Sequence, residues 1–185
     1  MDYLQPTEVD ALLTAAHAYG NKRAHLCLAL MYASGTRISQ ALNLKGVDII
    51  PDPSTGGYRV RIRGAKKGRT RPFRVMTSNN PAFDMTPIVE LARLQGTNRL
   101  FGGLTRFYMH ILVKKFAATA GLHADMVSCH RIRHSTAMKI YTQSQRIGIV
   151  SAYLCHTDAA SAFNYVAESD SQLGDQIMAD VFANA

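Results

Sequence analysis

Residues 129–165 read CHRIRHSTAMKIYTQSQRIGIVSAYLCHTDAASAFNY, and the rest of the chain is intelligible around them. The stretch holds His130, Arg133, His134, His156 and Tyr165. His130 and Arg133 are three residues apart, so on a helix they share one face, one turn apart. A further imidazole, His156, and a phenol, Tyr165, follow on later elements able to fold back beside them. Cationic donors grouped with an oxygen nucleophile are what phosphoryl transfer without a metal requires.

Working outward, the chain has the length of one domain: 185 residues, 47% of them hydrophobic, enough for a core without staples. No apolar run reaches the roughly 18 residues of a membrane span. The opening MDYLQPTEVD is acidic and polar, unlike a signal peptide. Three widely spaced cysteines make no disulfide framework, so a reducing cytoplasm is expected. The formal net charge of +8 and pI near 9.6 favour a polyanionic partner, nucleic acid first. Eight of the 21 Lys and Arg fall between Arg59 and Arg74, too concentrated for a merely solvated surface.

Before the opening stretch the pattern is helical, then extended, then helical again. Thr7, with Asp10 at capping-box distance, predicts a helix ending at Gly20. KRAHLCLALMYAS at 22–34 is apolar on most sides and predicts a buried helix. Gly35 ends it, Thr36 is placed to cap the next, and Arg37 stands at the first turn of RISQALNL, at the rim of a core. Between Tyr58 and Arg63, apolar residues alternate with Arg59, Arg61 and Arg63; GAKKG turns the chain, and Arg69, Arg71 and Arg74 return. This predicts a β-hairpin with a single-sign outer face suited to phosphates, Pro72 marking an edge strand. Lys66 and Lys67 at its tip are candidates for reaching into a bound duplex. Thr86-Pro87 and Thr105 start two further helices, the second with Phe107, Ile111 and Phe116 as a core stripe. Ser128 is placed to cap a helix carrying His130 and Arg133, and residues 171–185 read as an amphipathic terminal helix.

Two rival chemistries fare poorly. Cys129-His130 and Cys155-His156 lack the two-residue gap of common zinc sites, so no metal site is expected. No elbow or oxyanion-loop signature accompanies either cysteine, and no phosphate-binding glycine loop is present.

The remaining constellation resembles the catalytic domain of the tyrosine recombinases, the phage integrase family. GTRISQALNL resembles its first arginine box and HRIRHSTA its HxxRH box; LCH resembles its LGH, with Tyr165 nine residues after His156. The resemblance covers nearly the whole chain and implies a mainly α fold with a small antiparallel β-hairpin or sheet, an α+β arrangement. It implies one catalytic domain over 1–185, with 7–170 as core and a C-terminal helix at 171–185 that can be exchanged with a neighbouring subunit.

The resemblance also implies a site-specific recombinase that cleaves and rejoins DNA through a 3′-phosphotyrosine, without metal, ATP or other cofactor. Arg37 and Arg133 would hold the phosphate, Tyr165 attack, His130 assist proton transfer, His156 donate to a phosphate oxygen, and Lys66 protonate the leaving group, with Lys67 in reserve. Arg59, Arg61, Arg63, Lys67, Arg69 and Arg71 would contact double-stranded DNA. Self-association on DNA as a tetramer, an accessory DNA-binding protein and a bacterial, phage or mobile-element origin follow in the same way. Alternatives are type IB topoisomerase-like relaxation or a DNA-binding regulator with an idle site.

Three departures stand out. Gln40 replaces the family's frequent glutamate, Cys155 replaces glycine, and the catalytic-domain pattern begins by residue 8. The expectation is therefore either a minimal enzyme similar to the fimbrial phase-variation invertases or a clamp whose other half comes from a partner or a further segment.

Overall fold

The computed structural model describes residues 3–63, 70–154 and 166–183. The fold is mainly helical with one three-stranded antiparallel sheet. Helix α1 spans Pro6–Ala18. Its cap is Gln5 rather than Thr7: Pro6 occupies the first helical position, where its missing N–H costs nothing. The Gln5 amide donates to Glu8 Oε2 at 2.7 Å, so Glu8, not Asp10, completes the box. Helix α2, Lys22–Ser34, is buried from Ala24 onward and stops at Gly35, which takes φ 62°. The positive φ is what favours glycine there; a Cβ would also push against the Leu154 side chain.

Helix α3, Ile38–Leu42, has Arg37 itself in the cap position, in extended conformation, in place of Thr36. A short strand β1, Ile49–Pro51, then pairs with β2, Tyr58–Arg63, and β2 with the edge strand β3, Thr70–Arg74. In this register Val60 faces Phe73 and Ile62 faces Arg71, all turned to the core. Arg61 faces Pro72 on the outer side, where a residue without an N–H is tolerated at an edge.

Helices α4, Pro87–Gln95, and α5, Arg106–Thr119, follow. Thr105 caps α5, accepting from the Tyr108 amide at 3.0 Å. The buried face of α5 is Met109, Leu112, Val113 and Phe116; Phe107 lies off that face and is 76% exposed, so it is not part of the core stripe. Helix α6, Cys129–Ser144, is capped by Ser128, which accepts from the Arg131 amide at 3.2 Å. Helix α7, Ile147–Tyr153, and helix α8, Val166–Ala183, pack against each other.

Helix α8 closes the core of its own chain. Phe182 and Met178 are fully buried, with Phe182 stacked on Tyr32 and edge-on to Phe83. Among the described residues no helix is long and apolar enough to cross a membrane.

Candidate active site

The last carbonyls of α2 organise the site. A helix ends with four carbonyls that its own amides cannot satisfy, and its C-terminus carries partial negative charge. Here four side chains from three other elements answer four consecutive carbonyls. Thr136 Oγ1 on α6 donates to Tyr32 O at 2.5 Å, and Tyr153 Oη on α7 donates to Ala33 O at 2.6 Å. Arg71 Nη2 on β3 donates to Ser34 O at 2.7 Å, and Arg133 Nη1 on α6 donates to Gly35 O. Two residues further on stands Arg37, exposed at the start of α3. The end of a buried helix thus fixes the turn that presents Arg37.

Arg133 is 7% exposed and makes a second anchor, donating from Nη2 to Leu154 O at 3.0 Å. Leu154 is two residues before His156. One guanidinium therefore draws together the turn before Arg37 and the chain leading to His156. His130, one turn earlier on α6, is exposed, so α6 offers an imidazole to solvent and an arginine to the interior. His134 lies beside Tyr3, ring centroids 6.0 Å apart.

Gln40 links Arg37 to the hairpin. Its Oε1 accepts from the Arg37 amide at 3.1 Å, while its Nε2 donates to Arg63 O at 2.8 Å. Arg63 is the last residue of β2, immediately before 64–69. A glutamate could make the first of these bonds but not the second, because a carboxylate has no donor. The departure from the family pattern at this position therefore gains a contact. Lys66, Lys67 and Arg69 on the hairpin, and His156 and Tyr165 beyond α7, lie outside the described residues.

The outer face of the sheet is less purely basic than its sequence implies. Arg59 Nε pairs with Asp52 at 2.7 Å, and Arg63 and Arg61 approach Asp48 at 3.4 and 4.0 Å. Hydrogen bonds, first from the Ser54 hydroxyl, hold the Asp52 carboxyl at about 2, below the usual carboxylate range. Arg59, Arg61 and Arg63 still face outward, each with a carboxylate behind it. Arg71 does not: it is 8% exposed and turned to the core. Position 71 cannot share a strand face with 74, and the register puts it beside Ile62 on the buried side. Arg71 is therefore not placed to touch a duplex.

An open pocket of about 520 Å³ is lined by Arg37, Lys45, Arg63 and Arg99, with Gln40 and Asp48 in its wall. Lys45 and Arg99 meet through an isolated antiparallel bridge between segments distant in sequence. No local pattern announces either residue. Four cations around one opening make it suited to an anion such as a backbone phosphate.

Thiol chemistry is disfavoured at the described cysteines. Burial raises the Cys27 thiol far above its ordinary value and the Cys129 thiol to about 11, so both are protonated at neutral pH. Among the described residues no group of three or more His, Cys, Asp or Glu is arranged to hold a metal ion.

Residues 2–172 match the phage integrase family. The chain belongs to the phage integrase family. This integrase-family chain is 27% identical over 159 residues to tyrosine recombinase XerD of Rickettsia conorii, a match covering 77% of the chain and 51% of the relative. To tyrosine recombinase XerC of Staphylococcus carnosus it is 26% identical over 177 residues, covering 90% and 57%. Its fold is similar to that of a XerH site-specific recombinase in a pre-cleavage complex with difH substrate, with TM-score 0.69, 22% identity, and 94% and 50% coverage. The integrase-family chain thus spans about half the length of the relatives it matches.

Proposed function

We propose that this chain is the catalytic unit of a site-specific DNA recombinase that breaks and rejoins strands through a phosphotyrosine. The observation that carries the reading is Arg133, which gathers the Arg37 turn and the approach to His156 around one guanidinium. Cleavage of a phosphodiester places negative charge on the two non-bridging oxygens, and the guanidiniums of Arg37 and Arg133 would match that charge with bidentate donors.

In this reading the Tyr165 oxygen attacks phosphorus as its proton leaves toward His130. The bond to the 5′-oxygen breaks, and Lys66, with Lys67 as reserve, supplies the proton that makes the 5′-hydroxyl. His156 donates to a phosphate oxygen. The phosphodiester energy is held in the tyrosine ester, so a second 5′-hydroxyl can reverse the step without ATP.

Duplex DNA is the proposed substrate, met by Arg59, Arg61, Arg63, Lys67 and Arg69 and by the pocket around Arg37. That the similar XerH structure holds a difH substrate supports this. The reading extends to self-association of four protomers on DNA and to a bacterial cytoplasm. It also includes a second clamp on the far side of the duplex, from the same polypeptide or a partner. The alternative form of this reading is a minimal recombinase like the fimbrial phase-variation invertases, which are little more than the catalytic domain.

The test is a pool of randomised nicked duplexes, from which covalent capture leaves the protein attached to DNA. Wild type is expected to form the adduct, and Arg37→Ala to bind the selected duplex at moderate salt yet form none. Cleavage by Arg37→Ala at the wild-type rate refutes the role of Arg37, and no adduct with any duplex refutes the reading. Recombinant product separates strand exchange from relaxation alone.

A further inference from the structure

The hairpin arginine that turns inward has a partner on the last helix. Arg71 lies two residues beyond 64–69, the stretch carrying Lys66. Its guanidinium donates to Ser34 O and lies 4.3 Å from the centre of the Tyr153 ring. Tyr153 is fully buried and is the last residue of α7, just before the chain that leads to Tyr165. On the other side of that chain α8 begins at Val166, and its Asp175 carboxylate interacts with both Tyr153 and Arg71. Gly174 makes this approach possible, because a Cβ there would fall 2.2 Å from Tyr153 Cδ2. Arg71 Nη1 and Asp175 Oδ1 are both buried, and neither has a hydrogen-bond partner.

Two opposite charges so placed are expensive to keep. Burying polar atoms without full partners costs stability, and an apolar residue opposite Ile62 is the cheaper solution for a core. Burial raises the Asp175 carboxyl to about 6 against the opposing pull of Arg71, Arg59 and Arg74, so much of it is charged at neutral pH. Attraction in a poorly screened interior acts without direct contact and so can couple elements that do not touch.

We propose that Arg71 and Asp175 form a buried electrostatic tether that positions the lysine-bearing hairpin relative to the helix following the nucleophile. Both are positioning residues, and Arg71 is not a DNA contact. The inference rests on the recombinase reading for its consequence in catalysis, but not for the tether itself. With the tether in place, strand β3 and helix α8 are both referred to Tyr153, and through Ser34 to the turn that presents Arg37.

The experiment compares wild type, Arg71→Met and Asp175→Asn. Three quantities are measured: duplex affinity over a salt series, rate of adduct formation at saturating selected duplex, and amide exchange across Thr70–Arg74. Both variants are expected to bind with the wild-type affinity and salt slope but to form adduct on the order of tenfold more slowly, the size of effect seen for coupled pairs. Asp175→Asn is expected to melt at or above the wild-type temperature while speeding exchange in β3, although it lies on α8. A merely structural residue would not combine these two results.

If Arg71→Met fails to fold, the isosteric Asp175→Asn carries the test. A salt slope reduced by about one in Arg71→Met marks a phosphate contact and overturns the proposal. Wild-type adduct rates in both variants overturn it as well. If wild type forms no adduct with any duplex, the recombinase reading fails alone, and exchange in β3 decides the tether: faster supports it, unchanged overturns it.

Discussion

Replacing Gln40 with glutamate restores the residue that the family often has at this position, and here it is expected to slow the chemistry. The carboxylate still accepts from the Arg37 amide, so that arm of the link survives. The donor to Arg63 O, a 2.8 Å bond, is lost. A net hydrogen bond of about 0.5–1.5 kcal/mol then no longer holds the end of β2 to α3. If that energy sets the fraction of molecules with the hairpin lysine in place, adduct formation falls roughly two- to tenfold.

The assay is single-turnover adduct formation on two versions of one duplex, with oxygen or with sulfur at the 5′ leaving position. A thiolate departs without a proton donor, so it bypasses the hairpin lysine. Gln40→Glu is expected to be slow on the oxygen substrate and to match wild type on the sulfur one. Equal slowing on both places the defect at Arg37 and refutes the reasoning, as does an unchanged rate on the oxygen substrate.

Two further outcomes follow from α8. Gly174→Ala puts a methyl 2.2 Å from a ring that is fully buried and tied to Ala33 O. Urea unfolding is expected to show a loss of about 1–3 kcal/mol from overpacking, whereas a gain, as helix propensity alone gives, contradicts the close approach. Asp175 is protonated at about 6 in the folded chain, above the ordinary carboxyl value it regains on unfolding. Between those values the native state holds the extra proton, so wild-type stability falls as pH rises through the window. Relative to Asp175→Asn, wild type should lose ground from pH 4 to pH 7, and a constant difference removes the buried charge from the account.

What the sequence makes legible is what local chemistry decides. Gly35 and the Ser128 and Thr105 caps mark helix ends because their signals lie within a few residues of the bonds they make. The apolar surround of 22–34 declares burial, and the alternation at Tyr58–Arg63 declares a strand. The motifs around Arg37, His130 and Arg133 stand on elements that the fold brings to one region.

Elsewhere the decision is made at long range. Strand β1 is three residues long and exists because β2 offers it an edge. Arg71 is one of several arginines in sequence, and only its register against Ile62 turns it inward. The acids behind Arg59 and Arg63 come from the β1 side of the sheet, which a reading of the hairpin alone leaves out. The donors at the end of α2 illustrate the same limit. That a helix needs them follows from geometry, but that Thr136, Tyr153, Arg71 and Arg133 supply them requires the whole fold.

The central claim is that a phenol on this chain becomes joined to DNA. The most direct measurement is mass mapping of the protein after capture on a selected nicked duplex. The account predicts one DNA-linked peptide, containing Tyr165, and no adduct from Tyr165→Phe. A link at any other residue, or a wild-type yield of adduct from Tyr165→Phe, contradicts it.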